Sequence, residues 1–499
     1  MIISPETIAQ DTEAFPIFSD ADLATVQEFG MDEEFADGEA LIRSGTRDYD
    51  CFFILNGEVR VVDISSEGER EVVVHSRGQF IGDIDLLTGR PGVVDIIAKG
   101  SVHTARIPNS RIREFLVRFP DIGDRMMGAF TRRRTLLSAT DFEGIRIYGY
   151  KDCGMTLKIQ EFFYRNGVPH SWLDCEKSEV SEKLASLGVE CADTPYLTWG
   201  KHEIFRKPTL SQLAEHIGIS RSVSDEVYDT VIIGAGPSGL GAAVYASSEG
   251  LKTLIIDNIG PGGQAGSSSK IENYAGFPAG LSGRDLAHRS YLQALKFGTD
   301  FAAPCSALSI ERDPEGLYHL ELCTGSTVRT RTIIVSTGIS YRKLRVDGMD
   351  RLSGSGVYYN ATQVESILCQ DRPVHVIGAG NSAGQAAMFL SRFASEVNLL
   401  VRGDNLQKSM SEYLWSRVEV NPKIKIRFQT ELRAIHGEQS IESVTLEDRV
   451  AGSENHESSA GVFIFIGGEP CTDFLPEKMA RDEKGFVLAG ASIADHPDW

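Results

Sequence analysis

YDTVIIGAGPSGLGAAVYASSEGLKTLIIDN, residues 228–258, decides the fold of the longer part of this chain. An apolar run ends at Ile233, three glycines follow at Gly234, Gly236 and Gly239, and a helix-forming stretch leads to a second apolar run that closes on Asp257. The first glycine allows a tight turn, the second lets the backbone approach a pyrophosphate, and the third permits close packing of helix on strand. The phosphates then sit at the helix N-terminus, where the leading N–H groups lack intrahelical partners. Asp257, 23 residues after Gly234, ends the second strand where a carboxylate can take ribose hydroxyls. The spacing predicts a βαβ unit that binds a dinucleotide.

PVHVIGAGNSAGQAAMFLSRFASEVNLLVRGDN, residues 373–405, repeats the design with Gly378, Gly380 and Gly384, the last one position later than in the basic pattern. Asn381 and Ser382 follow the turn as further cofactor candidates, and the second strand ends in Arg402 instead of an acid. A guanidinium binds a 2′-phosphate in bidentate fashion, whereas a carboxylate repels it, so NADPH is expected here. Two dinucleotide sites in one region imply a nicotinamide feeding a flavin, which accepts a hydride and passes electrons on singly or in pairs.

Four further motifs surround these sites: GPGGQAGSSSKIENYAGFPAG (260–280), IIVSTGISYRKL (333–344), IGAGNSAGQAA (377–387) and VFIFIGGEP (462–470). With them, residues 228–490 resemble thioredoxin reductase and its relatives. The resemblance implies FAD and NADPH as cofactors and a homodimer. It places Gly263, Gln264 and Asn273 along the flavin, and Thr337-Gly338 at the crossing from the FAD half into an inserted NADP domain. Two departures stand out. Thioredoxin reductases carry Tyr-Cys-Ala-Thr-Cys where this chain reads Tyr359-Asn360-Ala361-Thr362-Gln363. Asn360 and Gln363 keep that loop polar but cannot form a dithiol–disulfide couple. The family also continues past a strand like GFVLAG into a segment that holds the flavin, whereas this sequence stops at His496-Pro-Asp-Trp499, so its FAD half reads as truncated.

The front of the chain has a different grammar. Short apolar strands alternate with turn signals over residues 36–108, the pattern of an antiparallel barrel or roll. FADGEALIRSGTRDYDCFFILNGEVRVV (35–62) and GQFIGDIDLLTGRPGVVDIIAKG (78–100) resemble cyclic nucleotide-binding domains, which implies a cyclic nucleotide as ligand. Asp83 falls where that family has a ribose-binding glutamate. Gly92-Val93 falls where it has the arginine and hydroxyl residue that hold the cyclic phosphate, and Arg90 is displaced by two positions. The loss of that guanidinium favours a degenerate sensor or dimerisation module. A helical stretch from about Arg111 to Leu137 follows and includes Thr131-Arg-Arg-Arg134, expected as a solvated helix end.

Residues 145–218 read β-α-β-α-β-β-α and resemble glutaredoxin-like domains. Tyr150-Lys-Asp-Cys153-Gly-Met-Thr156 puts Cys153 at a helix N-terminus, where the dipole and Lys151 stabilise a thiolate. Thr194-Pro195 is the expected cis-proline turn, and Cys191 a resolving thiol if its loop comes close. A vestigial spacer is the equal alternative. Cys51, Cys305, Cys323, Cys369 and Cys471 read as small core residues.

With 41% hydrophobic and 24% charged residues, the 499-residue chain has the composition of a globular multidomain protein. A net charge of −20 argues against nucleic acid or anionic membrane as a main partner. The eight cysteines contain no Cys-x-x-Cys and the histidines no ligand spacing, so no metal is expected. With no secretory signal legible, a cytoplasmic location is expected. The fold class follows as multidomain: an N-terminal β-roll with a helix (1–140), a small thioredoxin-like α/β domain (144–219), and a Rossmann-like α/β reductase. The reductase divides into a first FAD-binding part (226–342), an NADP-binding domain (343–460) and a return to the FAD-binding part (461–499). The expected function is NADPH-dependent flavoprotein oxidation–reduction without the redox cysteine pair. Its electron acceptor is a small molecule or a redox protein, with Cys153 a candidate carrier. The alternative is a nucleotide-sensing regulatory scaffold with an inactive reductase fold.

Overall fold

The computed structural model describes residues 11–65, 68–139, 145–150, 153–199, 202–219, 223, 225–268, 270–349, 351–352, 356–359, 361, 369–438 and 440–494. The chain divides into two compact units, Met1–Pro261 with His288–Val335, and Gly262–Ala287 with Ser336–Trp499.

The first unit begins with helix α1 (Asp20–Phe29), held by a Ser19 capping box, and an antiparallel β-roll. The roll contains β1 (Met31–Phe35), β2 (Ala40–Ile42), β3 (Cys51–Ser65), β4 (Gly68–Ser76), β5 (Phe80–Ile81) and β6 (Asp95–Ile107). Its core is aromatic: Phe53 stacks on Phe80 at 5.7 Å, and Phe18 and Phe130 meet the same pair edge-on. Between β5 and β6 runs the short helix α2 (Asp85–Thr88). The helical stretch expected as one piece is two helices, α3 (Ile112–Arg118) and α4 (Pro120–Ala139). Pro120 pushes Phe119 out of the helical region (φ −121°, ψ 73°) and restarts the helix at its own first turn.

Within the basic run of α4, expected as a solvated helix end, Arg133 instead points into the protein. Arg133 is buried, and its guanidinium donates to three carbonyls: Nε to Ala14 (2.8 Å), Nη1 to Gly82 (2.5 Å) and Nη2 to Phe80 (3.1 Å). It also lies 4.1 Å from the centre of the Phe80 ring. The tight turn after β5 leaves inward carbonyls that need donors, and α4 supplies them. Arg132 pairs with Asp11 at 2.7 Å.

The small α/β layer follows the predicted order: β7 (Ile145–Gly149), α5 (Gly154–Arg165), β8 (His170–Asp174), α6 (Ser178–Ser186), β9 (Tyr196–Trp199), β10 (His202–Arg206) and α7 (Leu210–His216). β7 and β8 are parallel, as a crossover helix requires, and β9 runs antiparallel to both β7 and β10, giving the order β10-β9-β7-β8. Ile147, Phe162, Phe163, Leu197 and Leu213 fill its core.

A six-stranded sheet completes this unit, in the order β13-β12-β11-β16-β15-β14. β11 (Tyr228–Ile233) is central and parallel to β12 (Thr253–Ile256) and β16 (Thr327–Val335). β13 (Asp300–Ala302) lies outside β12, and the hairpin of β14 (Ala307–Arg312) and β15 (Tyr318–Leu322) continues from β16. Helix α8 (Pro237–Ser248) crosses from β11 to β12. Near the hairpin, Cys323 is exposed, not a core residue: its sulfur accepts the Ser306 N–H at 3.3 Å while Cys305 beside it is buried.

The second unit contains a parallel five-stranded sheet in the order β18-β25-β19-β20-β21, from β18 (Val357–Tyr358), β19 (Pro373–Ile377), β20 (Glu396–Val401), β21 (Ile424–Phe428) and β25 (Val462–Ile464). A three-stranded sheet of β22 (Thr430–His436), β23 (Ser443–Asp448) and β24 (Ser453–Ser458) accompanies it, as does the antiparallel pair β17 (Ile339–Tyr341) and β26 (Gly468–Pro470). Helices α9 (Asn381–Leu390) and α10 (Glu412–Glu419) cover the parallel sheet. β19 carries a polar residue at its centre. His375 is fully buried, with Nδ1 3.0 Å from Ser459 Oγ and Nε2 3.5 Å from the Glu457 carboxylate. Arg427 reaches the same carboxylate at 2.6 Å.

His375 and then Arg427 hold the Glu457 carboxyl down to about 2 against the opposing effect of burial. A depressed folded pKa contributes stability that is complete above the unfolded carboxylate value and is lost as pH falls toward about 2. The side chain is 26% exposed, so solvent screens part of the effect. Between roughly pH 6 and pH 3 the unit should lose about 1–2 kcal/mol through this group, read as faster amide exchange in β19 and β24. Glu457→Gln should flatten that part of the pH dependence; an unchanged profile would contradict the assignment.

Candidate functional site

The first glycine turn joins β11 to α8. Gly234 has φ +105°, open to glycine but not to L side chains. A Cβ on Gly239 would lie 1.9 Å from the Gly234 carbonyl oxygen, so the two must both be glycine for helix and strand to meet. α8 starts at Gly236 with no side-chain cap and Pro237 in its first turn, which leaves its leading N–H groups for an incoming anion. Asp257 anchors this turn. Its Oδ2 accepts the Ala235 N–H at 2.8 Å, and its Oδ1 accepts those of Ile259 and Gly260 at 2.9 Å each. An ionised carboxylate has about four acceptor positions, so three backbone donors leave room for one more.

Two further hydrogen bonds lead away from this turn. Asn166, buried at the C-cap of α5, donates from Nδ2 to the Ile259 carbonyl at 2.8 Å. The Asn166 carbonyl accepts from Arg90 Nη1 at 2.5 Å. Arg90 is thus buried against the small α/β layer and turned away from the interior of the roll.

The second glycine turn, in the other unit, joins β19 to α9. Gly378 has φ +140°, and a Cβ there would lie 2.3 Å from the Phe465 carbonyl oxygen. Gly380 caps α9 without a side-chain bond, as Gly236 does α8. Gly384 packs beside Met410 and Leu414: its Cβ would lie 2.7 Å from Met410 Sδ and 2.9 Å from Leu414 Cδ2. Asn381 spends its side chain inside the protein, with Oδ1 accepting the Ser411 N–H at 2.7 Å and Nδ2 donating to Ser411 Oγ at 2.9 Å. Ser382 is exposed in the first turn of α9. Arg402, just past the end of β20, is exposed and meets no carboxylate among the described residues.

Gln264, Thr337 and Gly338 gather at one end of the β17–β26 pair. Gln264 Nε2 donates to the Ile339 carbonyl (3.1 Å), Thr337 Oγ1 donates to the Cys471 carbonyl (2.8 Å), and the Cys471 N–H donates to Gly338 (3.2 Å). Gly263 (φ +52°) precedes Gln264, and Asn273 is exposed. Beside Asn273, Glu272 bridges Lys270 (2.7 Å) and Arg417 (2.8 Å). Asn360 and Gln363 lie outside the described residues, as does Lys151; the side chain of Cys191 is likewise not described.

Cys153 is the N-cap of α5 and half-buried, with its N–H donated to the Tyr150 carbonyl at 3.2 Å. The Thr194–Pro195 peptide is cis. In the roll, Asp83 lines a pocket together with Gly92 and Val93, and accepts the Tyr49 hydroxyl at 2.5 Å. Among the described residues no group of three or more His, Cys, Asp or Glu is placed to hold a metal ion. No described helix is long and apolar enough to cross a membrane. Asn166, Arg133 and His75 carry structural or pocket roles that the sequence reading did not single out. Their partners are far away in the chain, and no local motif marks them.

Residues 228–493, more than half of the chain, match the family model of pyridine nucleotide-disulphide oxidoreductase, and residues 32–119 match that of the cyclic nucleotide-binding domain. A thioredoxin reductase of Streptomyces clavuligerus is 32% identical over 286 residues, which span 54% of this chain and 87% of the relative. A thioredoxin reductase of Aquifex aeolicus is 36% identical over 271 residues, spanning 54% and 82%. Among solved structures, T. acidophilum thioredoxin reductase superposes with a TM-score of 0.50 at 26% identity, over 54% of this chain and 86% of that one.

Two glycines of α8 separate packing from propensity. Gly239→Ala forces helix and strand apart and should cost about 1–3 kcal/mol in urea unfolding. Gly241, on the same helix, has no atom within 4 Å of an added Cβ. Gly241→Ala should therefore stabilise by about 0.5–1 kcal/mol. Equal effects at both positions would refute the close approach.

Proposed function

The chain belongs to the pyridine nucleotide-disulphide oxidoreductase family, whose members are FAD-dependent NAD(P)H oxidoreductases, and we propose that it is an NADPH-dependent flavoprotein reductase that works without a dithiol–disulfide relay. The observation that carries this reading is the pair of glycine turns: at each, an added Cβ would collide with a backbone oxygen, and each opens an uncapped helix. Such cradles admit a pyrophosphate and little else.

The residues divide the work as follows. Gly234, Gly236 and Gly239 present backbone N–H groups to the pyrophosphate of FAD, and Asp257 keeps one acceptor position for a ribose hydroxyl. Gly263, Gln264, Asn273, Thr337 and Gly338 orient the flavin end. Gly378, Gly380 and Ser382 receive the pyrophosphate of NADPH, and Arg402 its 2′-phosphate. Asn381 contributes through its backbone, since its side chain positions Ser411. When bound, the two cofactors supply a hydride donor and an acceptor that releases electrons singly or in pairs. Asn360 and Gln363, in place of a cysteine pair, leave no thiol in that loop to carry electrons onward. The acceptor is then a quinone, dioxygen, a one-electron carrier, or the glutaredoxin-like module through Cys153, whose helix N-terminus favours a thiolate. A homodimer and a cytoplasmic location belong to the same proposal. A regulatory role for the front half is favoured by the hydrogen bonds from Arg90 through Asn166 to the loop after Asp257.

Turnover with alternative acceptors tests this reading. The FAD-loaded chain should oxidise NADPH with a quinone or dioxygen, and any disulfide reduction should vanish in Cys153→Ser. Arg402→Glu should lower the preference for NADPH over NADH by about ten- to a hundred-fold, the worth of one or two charge-assisted hydrogen bonds. Reduction of a thioredoxin disulfide that survives Cys153→Ser would contradict the proposal.

A further inference from the structure

We propose that the β-roll binds a neutral, mainly apolar small molecule carrying a single hydrogen-bonding group, in a pocket whose described lining is poorly suited to a cyclic phosphate. The pocket is a partly open cavity of about 100 Å³ with an almost wholly apolar lining. Ile42, Val61, Val72, Val94, Ile96 and Leu136 are among the apolar residues of its wall. An apolar wall of this kind rewards removal of apolar ligand surface from water and penalises a sugar and a phosphate, which lose their hydration there.

The polar groups of the wall do not assemble an anion site. Holding a phosphodiester takes charge-assisted donors. Arg90, the nearest arginine of the loop, is not in the wall, because its guanidinium is buried against the Asn166 carbonyl. Gly92 and Val93 line that side instead. Arg133 reaches the pocket, but three of its five N–H groups go to the carbonyls of Ala14, Gly82 and Phe80, and its charge lies close to that of Asp83. Asp83 faces the same space and repels a second anion, and the Tyr49 hydroxyl is already donated to it.

His75 is what remains. It lines the pocket at 3% exposure, with its ring edge-on to Phe15 at 5.4 Å, and its Nδ1 finds no hydrogen-bond partner among the described residues. Buried polar atoms are seldom left so, and one that is calls for an explanation such as a bound water or ligand. Burial first, then the nearby Arg133 charge, holds its pKa well below the ordinary histidine value, so the imidazole is neutral. A neutral imidazole in an apolar wall suits a neutral hydroxyl or carbonyl group and not an anion.

The test uses the full chain and N-phenyl-1-naphthylamine, a neutral apolar fluorophore. Its emission should rise saturably, 1-octanol should displace it better than n-octane, and 3′,5′-cAMP should not displace it at all. Val94→Trp fills the pocket and should weaken binding at least about tenfold, with Val72→Phe as the second variant should the first fail to fold. His75→Phe should erase the advantage of octanol over octane. Displacement by cAMP, the absence of saturable binding, or wild-type binding in a folded pocket-filling variant would overturn the proposal.

Discussion

The contact on which the longer half depends is the meeting of Gly239 with the carbonyl of Gly234, where not even a methyl group fits. That approach fixes the start of α8 against the end of β11, and Asp257 locks it by accepting the Ala235 N–H from the neighbouring strand. The uncapped first turn of α8 then offers its leading N–H groups at a point set by this packing. Substitutions elsewhere can alter what binds beside that point; a side chain at Gly239 removes the point itself.

From the same aspartate the constraint spreads through the first unit. Asp257 shapes the loop at Ile259 and Gly260, whose carbonyl at Ile259 is taken by Asn166, whose own carbonyl is taken by Arg90. Each bond is modest by itself, about 1–3 kcal/mol when its loss strands a buried group. In series they join roll, small α/β layer and dinucleotide turn through buried polar atoms. The same arginine that closes this series is turned away from the pocket of the roll, so the link between modules and the proposed choice of a neutral ligand rest on one side chain.

The glycine turns, the parallel strands and the order of the small α/β layer were legible in the sequence because each is encoded in local runs, by spacing and by which residues tolerate a tight backbone. Gly384, one position later than the basic pattern, packs against the side chains of Met410 and Leu414. The errors share a different character. Thr131-Arg-Arg-Arg134 read as a solvated run because nothing local announces that the carbonyls of Gly82 and Phe80, some fifty residues earlier, need the donors of Arg133. Cys323 read as a core residue by its type, yet it sits at a hairpin with its sulfur outside. Asn381 was legible as part of the fingerprint, but not as the residue that fastens α10.

Anaerobic addition of NADPH to the FAD-loaded chain, followed by visible absorbance, tests the central claim most directly. The account predicts that the oxidised flavin band bleaches with NADPH, and that no thiols beyond those of the starting protein become titratable. A flavin that stays oxidised would contradict it, as would bleaching accompanied by a new pair of thiols.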